Sequence, residues 1–184
     1  IYLSSIAVYG FRDMYNISEG IPINVTNWLY ANSKIYCEEY LLNKFSNSKF
    51  PCIILRLGDV LGMGSTWLNN PIMLLKKKEM IYLKEYGYMN YIWIDDVINA
   101  INIILSTDRI DFGEIYNLTS GDYIDWGVYF KDLQKIIHAA DPIILPYFFC
   151  LRENINEQLK ILFGSSLSSK TGHPEFQFKI FSDY

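Results

Sequence analysis

Ser4-Ser5-Ile6-Ala7-Val8-Tyr9-Gly10 follows the apolar residues Ile1 to Leu3, and the run indicates a buried strand that leads into a turn. A helical pattern follows from about residue 27 to 45 and contains Tyr30-Ala31-Asn32-Ser33-Lys34. Residues four apart lie on one face of a helix, so Tyr30 and Lys34 are expected to point the same way. The strand end and the helix can therefore bring a hydroxyl, a phenol and an ammonium together.

Strands and helices alternate along the rest of the chain. Residues 52–57 form a continuous apolar run, which is typical of a parallel strand covered on both faces. The remaining predicted elements are helices at 70–78, 97–105, 129–138 and from beyond Pro146 to about residue 163, and strands at 91–94 and 115–118. The alternation predicts an α/β fold. Lys34 and Glu38 are expected to form an i, i+4 pair on the first helix.

The two opening segments resemble the strand-end serine segment and the Tyr-x-x-x-Lys helix of the extended short-chain dehydrogenases/reductases. That group includes sugar-nucleotide epimerases and dehydratases, dihydroflavonol reductases and hydroxysteroid dehydrogenases. The family's catalytic serine lies four residues before a Tyr-Gly pair, which identifies Ser5, and Tyr30 follows it at the spacing that the family shows. The resemblance covers residues 1 to 120 well and implies that Ser5, Tyr30 and Lys34 are catalytic and that the protein is an enzyme.

The chemistry of that family explains the residue types. Hydride transfer at a carbonyl or alcohol carbon needs a proton delivered to, or removed from, the oxygen. A tyrosine can do this near neutrality only if its pKa, about 10 when unperturbed, is lowered. A lysine one helical turn away supplies the positive charge that favours tyrosinate. The serine hydroxyl positions the substrate oxygen and donates to it as charge develops.

The resemblance also implies NAD or NADP as cofactor, contacted by Tyr30, Lys34, Leu57 and Gly58. The last two belong to Leu55-Arg56-Leu57-Gly58-Asp59-Val60-Leu61-Gly62, which resembles the strand and loop beside the nicotinamide. Substrate contacts are expected from Ser5 and Asp59. A second match to Tyr-x-x-x-Lys, Tyr40 to Lys44, lies ten residues further on and cannot share the first pair's site, so Tyr40 is predicted to be a packing residue.

The resemblance predicts the C-terminal part of a doubly wound Rossmann-type parallel sheet with a small substrate-binding lobe. Residues 1–62 are assigned to the second half of the dinucleotide-binding domain with the catalytic helix. Residues 63–184 are assigned to the lobe, with segments 91–105 and 113–118 returning to the Rossmann sheet. The sequence contains no Gly-x-x-Gly-x-x-Gly loop, which in the family seats the pyrophosphate before the strand at Ile1. We therefore expect a fragment that is inactive alone.

Two positions bear on the substrate. Sugar-nucleotide members usually have Asn at the position of Asp59 and Arg at that of Met89, and both differences disfavour a diphosphate. The apolar segment from Asp141 through Leu167 is suited to form a lid over a hydrophobic substrate. These features favour a hydrophobic, steroid- or flavonol-like substrate. A nucleotide-sugar epimerase or dehydratase and an inactive truncated module are the alternatives.

Composition limits the partners. A net charge of −4 disfavours nucleic acid, and no apolar stretch is long enough to span a bilayer. Three widely spaced cysteines indicate a reducing compartment, so we expect a cytoplasmic protein. His138 and His173, the only histidines, lack neighbouring ligands, so no metal site is expected. The remaining expected partners are a small-molecule substrate and, by resemblance, a second copy bound through the catalytic helix.

Overall fold

The computed structural model describes residues 1–10, 17–23, 28–83, 87–108 and 110–145. Its helices are α1 (Leu29–Ser48), α2 (Thr66–Lys76), α3 (Ile94–Ser106) and α4 (Trp126–Ile136). Its strands are β1 (Tyr2–Ser5), β2 (Ile54–Leu57), β3 (Asp59–Leu61), β4 (Ile81–Leu83), β5 (Tyr88–Met89), β6 (Tyr91–Trp93), β7 (Ile115–Leu118), β8 (Ile124–Asp125) and β9 (Ile143–Leu145). A 3-10 turn (Ile6–Tyr9) follows β1 directly.

The central feature is a parallel sheet in the order β1-β2-β7. Ile54 and Leu55 of β2 are almost completely buried, as expected for the middle strand of a sheet with both faces covered. The register places Ser5 beside Leu57, and Leu57 beside Leu118. Ser5 therefore stands at the carboxyl end of the sheet, where α/β proteins place their ligands.

Helix α1 packs on this sheet through a narrow stripe. Its buried side chains are Ala31, Ile35 and Glu38, spaced as one face of a helix requires. Lys49, in the left-handed conformation, ends the helix, with its backbone N–H donating to the Phe45 carbonyl. The helix thus runs three residues beyond the predicted end at 45.

Helix α2 starts earlier than predicted. The sequence favours a start at Asn70-Pro71, since proline suits the first helical turn. In the structure the helix begins at Thr66 and Pro71 lies inside it. The Ser65 hydroxyl accepts a hydrogen bond from the Trp67 backbone N–H at 3.2 Å, so Ser65 caps the helix.

The described chain divides into two compact units. Of the described residues, the first contains those within 1–68 and 89–123, and the second contains those within 69–88 and 124–145. Within the first unit β7 joins the central sheet, whereas β6 pairs with β3 in a separate parallel ladder. The assignment of residues 1–62 and 63–184 to a cofactor half and a substrate lobe stays a prediction.

The second unit has its own core and a parallel ladder of β4 with β9. Its buried aromatic centre joins Tyr82, Trp126 and Phe130, with Trp126 and Phe130 stacked at 5.6 Å between ring centroids. The predicted helix between 146 and 163, and most of the predicted lid at 141–167, lie outside the described residues. Of the helices described, none combines the length and apolar character that crossing a bilayer would require.

Candidate active site

Ser5 ends β1 and begins the 3-10 turn. Its side-chain oxygen accepts a hydrogen bond from the Ala7 backbone N–H at 3.2 Å, which caps the turn. This contact fixes the side chain at the edge of the sheet while its own O–H stays available as a donor. Ser5 is partly exposed, as a residue that meets a substrate has to be.

Lys34 ties helix α1 to strand β1. Its ammonium donates a 2.9 Å hydrogen bond to the Leu3 carbonyl, two residues before Ser5. The same nitrogen lies 5.7 Å from the centroid of the Tyr30 ring, on the shared helix face that the spacing predicts. Tyr30 is 45% exposed and is therefore accessible. The structure thus brings Tyr30 and Lys34 together and links them to the strand that carries Ser5, while direct convergence of Ser5 on the Tyr30 hydroxyl stays a prediction.

A second phenol, Tyr2, also lies beside this lysine. The Lys34 ammonium is 5.2 Å from the Tyr2 ring centroid. Burial, and then a hydrogen bond to Cys37, raises the pKa of Tyr2, so that its hydroxyl keeps its proton at neutral pH. Tyr2 therefore does not neutralise Lys34, whose positive charge remains available to Tyr30.

The second Tyr-x-x-x-Lys match has similar local geometry. The Lys44 ammonium lies 5.5 Å from the Tyr40 ring centroid, close to the distance in the first pair. Tyr40 is 53% exposed, so the prediction that it is a packing residue is wrong. Single exposed apolar side chains are common on protein surfaces, so Tyr40 needs no buried partner. What distinguishes Lys34 from Lys44 is the contact of Lys34 with β1.

The proposed cofactor and substrate residues follow β2. Leu57 ends that strand beside Ser5, and Gly58 turns the chain into β3. A Cβ at Gly58 would lie 2.2 Å from the Asn90 carbonyl oxygen, so this position accepts no side chain. The next residue, Asp59, is only 9% exposed, and burial raises its pKa to about 7. Their roles towards a ligand stay predictions.

Beneath the candidate site lies a buried polar network that sequence reasoning missed. The Glu38 carboxylate accepts hydrogen bonds from the Ser4 hydroxyl at 2.5 Å and from Arg56 Nη2 at 2.6 Å. Arg56 Nη1 donates to the Tyr9 hydroxyl at 2.7 Å, and that hydroxyl donates to Asn117 Oδ1 at 2.7 Å. Burial alone lowers the pKa of Arg56, but the hydrogen bonds that Arg56 donates to Glu38 and Tyr9 outweigh this effect and raise the pKa.

Two features of the sequence could have revealed this network. Arg56 is a charged residue within an otherwise apolar strand, and buried charges need a partner. Glu38 lies on the helix stripe that also carries Ala31 and Ile35, which predicts that it faces the sheet. The predicted pair of Lys34 with Glu38 is therefore wrong, because Glu38 turns inward to Arg56 while Lys34 turns to Leu3.

Metal ligation has no support in the part of the chain that the structure describes. Within those residues no group of three His, Cys, Asp or Glu side chains could hold an ion. His173 lies outside the described residues.

Comparison with known families agrees with the fold and the motifs. The model of the "NAD dependent epimerase/dehydratase family" matches residues 1–119. No protein of curated function matches the sequence significantly.

Solved structures share the fold. One is a dTDP-glucose 4,6-dehydratase from Bacillus anthracis in complex with NAD (17% identity, 78% of this chain, 47% of that chain, TM-score 0.67). Another is a UDP-glucuronic acid 4-epimerase from Bacillus cereus in complex with UDP-glucuronic acid and NAD (21%, 78%, 47%, TM-score 0.70). A third is RMD from Pseudomonas aeruginosa complexed with NADPH (20%, 79%, 53%, TM-score 0.65).

The chain spans about half the length of these structures. At such identities the likeness concerns the fold, and it confirms the predicted Rossmann-type α/β class.

Proposed function

Because this chain belongs to the NAD-dependent epimerase/dehydratase family, we propose that its complete gene product is an NAD(P)-dependent oxidoreductase or epimerase that acts at a carbonyl or alcohol carbon. The observation that carries the proposal is the position of Lys34, which contacts β1 near Ser5 and lies beside Tyr30. Lys44, by contrast, is exposed and lies 5.5 Å from the Tyr40 ring centroid on the same helix. The arrangement supports proton transfer by Tyr30.

Each side chain has a distinct task. The Tyr30 hydroxyl gives a proton to the substrate oxygen in reduction and takes one in oxidation. The Lys34 ammonium stabilises negative charge on the Tyr30 oxygen, since an opposite charge nearby favours the ionised form. The Ser5 hydroxyl donates to the substrate oxygen, and its capping bond to Ala7 keeps it oriented.

The residues present fit a dinucleotide cofactor. Gly58 leaves bare backbone at the end of β2, where the close approach of Asn90 excludes a side chain. Lys34 uses one of its donors on Leu3 and keeps others for ligand hydroxyls. We assign cofactor contacts to Tyr30, Lys34, Leu57 and Gly58. Bound NAD or NADP supplies or receives the hydride.

For the substrate we favour a hydrophobic, steroid- or flavonol-like compound. Met89 is fully buried and presents no positive charge where sugar-nucleotide members usually have Arg. This supports a ligand without a diphosphate, because two phosphates need compensating cations. Asp59 is assigned to substrate contact together with Ser5.

A nucleotide-sugar epimerase or dehydratase is the second candidate. Burial raises the pKa of Asp59 to about 7, so below that pH its carboxyl is uncharged. A neutral carboxyl has the shape of Asn and does not repel phosphate. Asp59 therefore disfavours a diphosphate less strongly than Met89 does. Two of the similar structures also favour this candidate, since one is a dTDP-glucose 4,6-dehydratase and the other holds UDP-glucuronic acid.

The expected homodimer is a proposal that the surface of α1 supports. Leu29, Tyr36 and Tyr40 are exposed apolar side chains on that helix, at spacings that place them on one side. A cytoplasmic location, a small-molecule substrate and the absence of a nucleic-acid partner complete the proposal.

Two assays on the complete gene product test the proposal. Oxidation of NADH or NADPH with a panel of apolar ketones should show turnover, and calorimetry with UDP and dTDP should show no binding. Micromolar binding of either nucleotide, with interconversion of nucleotide hexoses, would favour the second candidate. Failure of both substrate classes with both cofactors would support the inactive module.

A further inference from the structure

The buried network crosses the central sheet in one row. Ser4 of β1 lies beside Arg56 of β2, and Arg56 lies beside Asn117 of β7. This row is one residue before the row that contains Ser5. Glu38 covers it from α1, and Tyr9 covers it from the turn that Ser5 caps. The network therefore touches every element that carries a residue of the proposed catalytic set.

Glu38 anchors helix α1 to the central sheet. The buried side chains of that helix are Ala31, Ile35 and Glu38, of which Ala31 offers little apolar area. Apolar packing alone can slide or rotate, because it has little directionality. The Glu38 carboxylate instead meets Arg56 through both Nε and Nη2, at 3.1 to 3.2 Å and at 2.6 Å. Such a forked contact fixes direction as well as distance.

Ser4 transmits this constraint to its neighbour. Successive side chains of a strand point to opposite faces, so holding the Ser4 hydroxyl against Glu38 fixes the direction of Ser5. On the helix, Lys34 lies one turn before Glu38, and Tyr30 lies one turn earlier still. One carboxylate thus joins the strand position next to Ser5 to the helix that carries Tyr30 and Lys34.

We infer that Glu38 is a positioning residue, which sets the register of Tyr30 and Lys34 against Ser5 through its contacts with Ser4 and Arg56. The inference rests on the proposed function. Stability alone does not explain the pair, because apolar residues of similar volume often replace a buried ion pair without loss of stability. Apolar replacements would not reproduce the fixed geometry of the contact between Glu38 and Arg56.

The test compares double variants of the complete gene product, since removing one partner alone would leave a buried charge and strongly destabilise the protein. In Glu38→Leu/Arg56→Met the whole pair is replaced. We expect this variant to fold, with kcat lower by about 10²-fold and with a much smaller change in KM, as misplacement of catalytic groups produces. Glu38→Gln/Arg56→Met keeps an acceptor for Ser4, so it should recover part of kcat.

The matched control is Asp132→Asn/Lys135→Met, which removes an exposed ion pair of α4 and should leave kcat unchanged. A second readout is independent of turnover: the NMR signal of Tyr30 in protein labelled at tyrosine ¹³Cζ, assigned by its loss in Tyr30→Phe. It should shift in Glu38→Leu/Arg56→Met and stay in place in the control. A folded Glu38→Leu/Arg56→Met variant with wild-type kcat, or with an unmoved Tyr30 signal, overturns the inference.

The two readouts separate the inference from the proposed function. If the wild type turns over no substrate, the proposed function fails, and the Tyr30 signal still decides whether Glu38 positions the helix. If Tyr30→Phe is inactive while Glu38→Leu/Arg56→Met is fully active, the proposed function stands and the positioning role is wrong. Should the double variant fail to fold, Glu38→Gln/Arg56→Met decides alone: wild-type kcat with an unmoved signal contradicts the inference, and a lower kcat with a shifted signal supports it.

Discussion

The ammonium of Lys34 donates a 2.9 Å hydrogen bond to the Leu3 carbonyl, and this contact spans 31 residues of sequence. It connects the helix with Tyr30 to the strand with Ser5. The chain contains two Tyr-x-x-x-Lys patterns, and this contact is why we propose a catalytic role for the one formed by Tyr30 and Lys34. Lys44 lies at a similar distance from its own tyrosine, yet Lys44 is exposed to solvent.

Lys34→Met should lower kcat by on the order of 10²-fold, because the charge that stabilises ionised Tyr30 is lost. Lys44→Met is the matched control, and its kcat should equal that of the wild type. The comparison requires steady-state kinetics of the complete gene product under cofactor saturation. Equal losses in the two variants would show that the contact with β1 does not distinguish them.

Asp59→Asn should change how stability depends on pH. In the folded protein the pKa of Asp59 is raised from 3.8 to about 7, so the folded state binds a proton more tightly than the unfolded state does. The contribution of the protonated Asp59 carboxyl to the stability of the fold is therefore fully present below about pH 4 and is lost as pH rises through 7. Between pH 5 and 8 the free energy of unfolding of the wild type should fall by about 2 to 3 kcal/mol relative to that of Asp59→Asn.

Denaturant unfolding of both proteins at several pH values measures this difference. Asp132→Asn, which changes an exposed carboxylate, should follow the wild type. Parallel stability curves for wild type and Asp59→Asn would contradict the burial of the Asp59 carboxyl.

Gly58→Ala should destabilise the fold. The added Cβ would lie 2.2 Å from the Asn90 carbonyl oxygen, so the backbone at residue 58 or at Asn90 would have to shift. We expect a loss of about 1 to 3 kcal/mol, as for other overpacked sites. Gly20→Ala is the control, because a Cβ there meets nothing within 4 Å, and it should be neutral or slightly stabilising. Equal unfolding midpoints for the two variants would refute the close approach.

The sequence was sufficient for the parts of the fold that depend on local pattern. The apolar run around Ile54 predicts β2, and the spacing of Tyr30 and Lys34 predicts their common face. Ser65 was missed because Pro71 is a stronger start signal than a single serine. The two- and three-residue strands, such as β3 and β8, are too short to show a period.

The sequence can indicate that Arg56 and Glu38 are buried, but the partners within the polar network could not be predicted because they come from separate elements. Glu38 and Arg56 are 18 residues apart, and Tyr9 and Asn117 are 108 apart. Their contacts follow from the strand order β1-β2-β7, which no local pattern specifies. Arg56 was grouped with its apolar neighbours, although a charge within such a run requires a buried partner.

The most direct test of the central claim is the turnover of Tyr30→Phe beside that of Tyr40→Phe. Both variants remove one hydroxyl from a half-exposed ring on α1, so neither should lose much stability. With Tyr30 as the proton donor, kcat of Tyr30→Phe falls by about 10² to 10⁴-fold while Tyr40→Phe keeps the wild-type value. Equal kcat values for the two variants would contradict the assignment of Tyr30.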